Sequence, residues 1–332
     1  MVILSKEHDH ETVAMRDAYC GALTAAAGRD GRIVTVEADV MHSMGTVGFA
    51  DRFPQRCIFC GIQEANCAGV AAGLSAAGLI PFFHSFAAFA SRRAYDQLLL
   101  SCAYAGLNVK IIGGDPGVTA TNNGGTHMPF EDMGIMRNIP GATIIEPADS
   151  TAVGSLVPQM AERYGVAYMR VARRFVAKIY EAGSEFEIGR AAALREGSDV
   201  AIIACGIMVC EALKAADILQ EQGLSARVVD MFTIKPIDAA CITDCAKKTG
   251  AVVTAENHSI INGLGSAVSE VITSSCPVPL ERVGVRDVFG EVGNQEYLMK
   301  KFGLTAEDIV EKAIIAIRRK TNCTLGVSTW EK

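Results

Sequence analysis

The sequence predicts an α/β fold of two doubly wound domains, each with a mainly parallel sheet. Two observations carry that reading. Segments of helical period alternate with short apolar runs along most of the chain, the pattern left by successive strand–helix crossovers. The alternation lapses once, around Arg173–Gly189, and then resumes, which sets a domain over residues 1–175 apart from another over residues 190–332. A chain of 332 residues is long enough for two domains of ordinary size.

The first unit begins with a helical stretch at Thr12–Ala27 and a strand at Arg32–Glu37. A helix over Gln63–Ala77 and a strand at Leu79–Phe83 follow, then a helix at Ser91–Ala105 and a buried strand at Asn108–Gly113. Gly113 to Met128 is a long loop rich in Gly, Thr and Asn, of a length that marks function or disorder. Ala142–Ile145, Ser150–Arg163 and Val166–Val171 complete the unit as strand, helix and strand. Arg173–Gly189 reads as the linker. In the second unit the strands fall at Asp199–Ala204, Ala226–Asp230 and Ala251–Ala255, and the helices at Met208–Gln222, Asp238–Lys247 and Gly265–Ser274. A last helix, Ala306–Arg319, opens on Thr305 with Asp308 three residues later, the spacing of a capping box.

Half of the residues are hydrophobic and 20% are charged, so a large packed core is feasible. The net charge of −6, without a basic cluster, argues against nucleic acid as a partner. The first ten residues lack the apolar region of a secretory signal, and no run approaches the roughly 20 apolar residues that span a bilayer. The expected location is the cytoplasm, without a membrane partner. Eleven cysteines there suggest reduced, buried thiols. Cys57-Ile58-Phe59-Cys60 has redox or half-zinc spacing, but no second such pair accompanies it, so packing is the better account and no metal site is expected.

Glu64 is the most informative residue. It heads a segment made almost entirely of Ala, Gly, Val and Leu, where a buried carboxylate is costly unless paired and where its pKa would rise toward that of a proton donor. A Glu in the first helical turn also complements the helix dipole or closes a capping box, and the position alone suits either role. Phe86 and Phe89, three apart, would share one helical face, in a core or at a site. His127 ends the long loop in Gly124-Gly125-Thr126-His127, where packing gives a His no reason to sit and proton transfer or hydroxyl recognition does. Glu256-Asn257-His258-Ser259 fits a site, a helix cap or a buried polar network. Arg16, Arg170, Arg173 and Arg174 could meet an anionic substrate, or make exposed salt bridges. Gly113-Gly114-Asp115-Pro116-Gly117 superficially matches an acidic diphosphate-binding turn, but Pro stands where Gly is needed. No phosphate cradle is evident.

Together these residues resemble the C-terminal half of transketolase, its pyrimidine-binding and C-terminal domains. Glu37-Ala38-Asp39, Gly61-Ile62-Gln63-Glu64-Ala65-Asn66, the Phe86–Phe89 pair, Gly125-Thr126-His127, Thr233-Ile234-Lys235-Pro236 and Asp287-Val288-Phe289-Gly290-Glu291 fall in family order, nearly end to end. The resemblance implies one subunit of a split transketolase that moves a two-carbon ketol unit from a ketose to an aldose. Its cofactor would be thiamine diphosphate, with Mg2+ (or Ca2+) and the diphosphate held by an N-terminal partner subunit in an α2β2 assembly. Glu64 would exchange a proton with the cofactor's aminopyrimidine. Phe89, backed by Phe86, would stack on that ring, with Ile62 and Asp39 as further cofactor contacts. His127 would hydrogen-bond the donor sugar, and Arg16 and Arg170 would grip a substrate phosphate.

Three positions depart from the family pattern. Glu37 stands where a phosphate-contacting Ser is common, Asp115 where a His lies beside the phosphate, and Asn123 where an Asp reads the sugar hydroxyls. All three would face the sugar or sugar-phosphate substrate, and two added acids would repel a phosphate. Arg93-Ala94-Tyr95-Asp96-Gln97 also resembles 1-deoxyxylulose-5-phosphate synthase. That activity, a 2-oxoacid dehydrogenase β-chain-like activity, or a non-catalytic subunit are the alternatives.

Overall fold

The computed structural model describes residues 2–6 and 8–327, with side chains through residue 321. Two sheets form the frame. The first contains β1 (Ile33–Glu37), β2 (Cys57–Phe59), β3 (Ile80–Phe86), β4 (Lys110–Gly114), β5 (Thr143–Ile145) and β6 (Ala167–Val171). The second contains β7 (Ala192–Arg195), β8 (Val200–Ala204), β9 (Ala226–Asp230), β11 (Val252–Ser259) and β12 (Leu280–Val285). The remaining strand, β10 (Thr233–Lys235), comes from the second half of the chain but joins the first sheet. The orders are β10-β5-β6-β4-β3-β1-β2 and β12-β11-β8-β9-β7. Only β10 and β7 run antiparallel to their neighbours, so the α/β fold with mainly parallel sheets expected from the sequence is the one observed.

Strand residues alternate between two apolar cores. Phe82, Ile112, Met169 and Ile145 face one, with Tyr19 and Leu23 of the helix Met15–Arg29 and Val153 and Leu156 of the helix Ser150–Glu162. Phe83, Ile111, Tyr168 and Ile144 face the other, with Cys67, Ala68 and Ala71 of the helix Glu64–Ala76. Both cores continue across the second sheet, through Ile202 and Val253 on one side and Ile203 and Val252 on the other. Covering both faces of a parallel sheet is what makes its strands near-continuous apolar runs.

Several elements differ from the sequence expectation. The stretch Ser91–Ala105 is not one helix. It divides into Ala87–Arg92, Tyr95–Gln97 and a π-helical segment Leu98–Tyr104, and the break falls at Arg93, whose side chain turns to Glu64. Phe86 ends β3 and Phe89 lies in the next helix, so the two do not share a helical face. The short strands β2, β7 and β10 and the edge strand β12, interrupted by Glu281 and Arg282, escape periodicity, which needs a longer apolar stretch to register. Arg173–Gly189 is no loose linker: Leu4 and His10 bridge antiparallel to Tyr180 and Ala177, and Val176, Ile179 and Tyr180 are buried. The Thr305–Asp308 box forms as expected, with the Thr305 amide donating to Asp308 Oδ2 at 3.0 Å.

Candidate active site

After β1 the chain crosses to the edge strand β2 and returns to β3 on the other side of β1, so the winding reverses between β1 and β3. Crevices at such reversals, outside the carboxyl ends of the strands, are where open α/β sheets bind ligands. Glu37, Ser85, Phe86 and Asp115 stand at or just beyond these strand ends, and Glu64 opens the helix after β2.

Glu64 is 4% exposed. Its helix has no side-chain cap, and its carboxylate takes no part in a capping box. Ser85 Oγ donates to Oε1 at 3.2 Å, and Arg93 Nη1 lies 3.4 Å from Oε1 and 3.3 Å from Oε2. The partner that burial demands is thus Arg93, half exposed, its guanidinium 4.0 Å from the centre of the Phe89 ring. Ser85 and Arg93 were not singled out as its partners by sequence reasoning. Arg93 lies 29 residues from Glu64, and only the break between two short helices aims it back.

His127 closes the group. Its ring sits edge-on to Phe89, with centroids 4.9 Å apart, and to Phe86 at 5.8 Å. Thr126 Oγ1 lies 2.9 Å from its Nδ1. Gly124 has φ +75°, and a Cβ on Gly125 would stand 2.5 Å from the carbonyl oxygen of Gly290. The loop can reach this position only with glycine there, pressed against the Asp287–Glu291 segment of the second unit. Ile62 is 66% exposed on the turn before Glu64, and Asp39 is exposed beyond β1.

The residues expected to meet substrate divide. Asp115 is buried just past β4, in a left-handed conformation with φ +53°. Its Oδ1 accepts the Arg173 amide at 3.2 Å. Burial raises its pKa to about 6 against the opposing pull of Arg173, Arg174 and Arg16. Arg16 Nη1 donates to the carbonyls of His42 and Ser43, at 3.1 Å each. Asn123 is exposed on the loop.

Two expectations are corrected. Arg170 cannot grip a substrate phosphate, because its side chain is fully buried and committed. It holds Asp132 through Nε (2.9 Å) and Nη2 (3.0 Å), Glu146 through Nη1 (2.6 Å), and the Asn257 carbonyl through Nη2 (3.1 Å). Glu37 cannot meet a substrate either. It is 0% exposed and faces His84. The Glu256–Ser259 segment proves to be cap and network. Glu256 accepts the amides of Leu264 (2.7 Å) and Gly265 (2.8 Å) at the start of the next helix, and burial raises its pKa to about 7. Asn257 Oδ1 accepts the Val118 amide and its Nδ2 donates to the Pro116 carbonyl, tying the second unit to the long loop.

Among the described residues no three His, Cys, Asp or Glu side chains converge as a metal site. No helix among them is long and apolar enough to cross a membrane. A cavity of about 580 Å³ lies away from the Glu64 group, bounded by His8, Cys210, Lys214, Met299 and Glu307 among others. None of Glu64, Ser85, Phe86, Phe89, Arg93 and His127 lines it, and it is not part of this site.

Fold and site define a two-unit α/β protein with a candidate crevice at the carboxyl edge of the first sheet. The chain belongs to the transketolase family. The pyrimidine-binding domain of transketolase matches residues 11–177, and the transketolase C-terminal domain matches residues 189–309. The chain is 54% identical to a 6-deoxy-6-sulfo-D-fructose transketolase subunit from Clostridium sp. (strain MSTE9), over 92% of this chain and 95% of that protein. It is 34% identical to an apulose-4-phosphate transketolase subunit from Phocaeicola vulgatus, over 92% of this chain and 98% of that one. A solved split-gene transketolase, an inactive beta4 tetramer, superposes with a TM-score of 0.87 at 43% identity, covering 93% of this chain and 99% of its own. The resemblance to a split transketolase subunit read from the sequence therefore holds.

Proposed function

We propose that this chain is the C-terminal subunit of a thiamine-diphosphate-dependent transketolase, working in the cytoplasm with an N-terminal partner subunit that holds the diphosphate and its Mg2+. The observation that carries the reading is the Glu64 group: a carboxylate almost fully buried, held by Ser85 and Arg93, with Phe89 and His127 alongside. The group fits the pyrimidine end of the cofactor, because an aromatic ring and an inward carboxylate are what a flat, proton-accepting heterocycle requires. When bound, the cofactor supplies a nucleophilic carbon that carries the two-carbon unit between sugars.

The chain's own residues bind and move protons. Phe89 offers a face for stacking, with Phe86 behind it. Glu64 Oε1 or Oε2 holds the proton exchanged with the cofactor ring; Ser85 and Arg93 fix where those atoms stand. His127, oriented through Nδ1 by Thr126, presents Nε2 to the donor sugar. Arg16, Arg173 and Arg174 around Asp115 receive the far end of the sugar. Relatives named for a sulfonated ketose and for a ketose phosphate support a donor with an anionic terminus. The inactive tetramer of the structural relative supports the need for a second kind of subunit, in our reading an α2β2 assembly.

Glu64→Ala tests this in the reconstituted complex. Ketol transfer should fall at least about 100-fold, the scale of a lost proton-transfer group, with the circular dichroism spectrum unchanged. Near-normal turnover would remove Glu64 from the mechanism.

A further inference from the structure

Directly under the switch point lies a second polar group that the proposed mechanism does not use. Tyr19, His84 and Glu37 are each 0% exposed. Tyr19 Oη is 2.6 Å from His84 Nε2, and His84 Nδ1 is 3.1 Å from Glu37 Oε1. That second contact is an ion-pair approach without hydrogen-bond alignment, and both Glu37 oxygens and His84 Nδ1 lack an aligned partner. Burial and the Glu37 charge keep Tyr19 a phenol. Its hydroxyl can donate to Nε2 or accept from it, according to the tautomer of His84, and Nδ1 faces Glu37 in either case. An incompletely satisfied carboxylate in a sealed core is costly, and apolar residues would pack there at lower cost.

Position explains what the cost accomplishes. Glu37 and His84 are paired residues at the carboxyl ends of β1 and β3. The Glu37 carbonyl accepts the Cys60 amide at 3.0 Å, at the start of the turn leading to Glu64. Ser85, next to His84, points to the opposite face and donates to Glu64. Tyr19 lies one helical turn after Arg16, on the same side of a helix that begins without a side-chain cap. The group therefore ties the first turn of the Arg16 helix to the strand ends.

We propose that Tyr19, His84 and Glu37 are positioning residues that fix Arg16 at the crevice and so set the grip on the anionic end of the donor. The inference rests on the function proposed above. The test uses Tyr19→Phe, with His84→Gln as a second variant, in the complex with its partner subunit. Two donors are compared: 6-deoxy-6-sulfofructose, which is anionic, and erythrulose, which is uncharged. Removing one buried hydrogen bond should raise KM for the sulfonated ketose about tenfold, leaving its kcat and the erythrulose KM unchanged. Calorimetric titration with the sulfonated ketose should show the same loss of affinity. Equal KM changes for both donors, or none for either, would overturn the proposal, because a merely structural role does not sort donors by charge. If the unaltered complex transfers ketol from neither donor, the functional reading falls. The calorimetric comparison still decides the positioning role: weaker binding by Tyr19→Phe supports it, and equal binding refutes it.

Discussion

Arg170→Ala gives the sharpest test of the buried charge network. Its guanidinium satisfies two carboxylates and one carbonyl, with four contacts of 2.6–3.1 Å and no exposure. Deleting it leaves Asp132 and Glu146 buried without their counter-charge, although Tyr168 Oη still donates to Asp132 at 2.6 Å and Cys205 Sγ to Glu146 at 3.0 Å. Those residual donors place the loss at roughly 3–5 kcal/mol, the range for breaking a buried pair from one side, rather than the larger sum of four charged hydrogen bonds. Urea unfolding followed by circular dichroism measures it. A combined Arg170→Met, Asp132→Asn and Glu146→Gln variant should recover most of the loss, since a neutral network carries no stranded charge. A loss below about 1 kcal/mol, ordinary for a surface substitution, would refute the network's role. So would a fully stable variant whose only defect is a raised KM for a phosphorylated donor, which would return Arg170 to the substrate.

Two further outcomes follow from buried groups and close contacts. Asp230 is fully buried beneath the Tyr180 hydroxyl, and burial raises its pKa to about 8. The unfolded chain releases this proton near the ordinary carboxyl value of 3.8, so between about pH 4 and 8 the folded state binds more protons and stability falls as pH rises, by at most about 1.4 kcal/mol per unit. Asp230→Asn should flatten that slope in unfolding midpoints measured across the window, and an unchanged slope would contradict it. Gly125→Ala would drive a methyl against the Gly290 carbonyl, displacing His127 from the phenylalanines. Turnover should fall more than tenfold at a stability cost of about 1–3 kcal/mol, and full activity would show that the loop does not need this seat.

Much of the frame was legible because long apolar segments announce themselves. The core strands around Val36, Ile111 and Ile203 were located within a residue or two. The Thr305–Asp308 box was read from local spacing that the structure reproduces. Glu64 stood out because a charge among small apolar residues needs an explanation. What escaped depends on tertiary context. Arg93 as the Glu64 partner rests on a helix break that no periodicity records. Arg170 and Glu37 are placed at the substrate by the family resemblance, and a sequence does not show which way a strand residue faces. Both point inward from strand positions whose register only the sheet reveals. Arg173 carried the same ambiguity, and its place beside Asp115 follows from the path of the chain after β6.

The antiparallel strand Thr233–Lys235 has a bearing on how such chains can be rearranged. It borders Ile144 and Ile145, so the outer margin of the first sheet is completed by residues some ninety positions downstream. The two family domains are therefore not interchangeable modules. A hybrid joined near residue 180 would meet a foreign margin strand, and its Lys235 would have to find the Arg137 and Ile139 carbonyls that the native amine holds at 2.9 and 2.7 Å. Recombination within this family is expected to succeed when both halves, or at least this strand and its seat, come from the same parent.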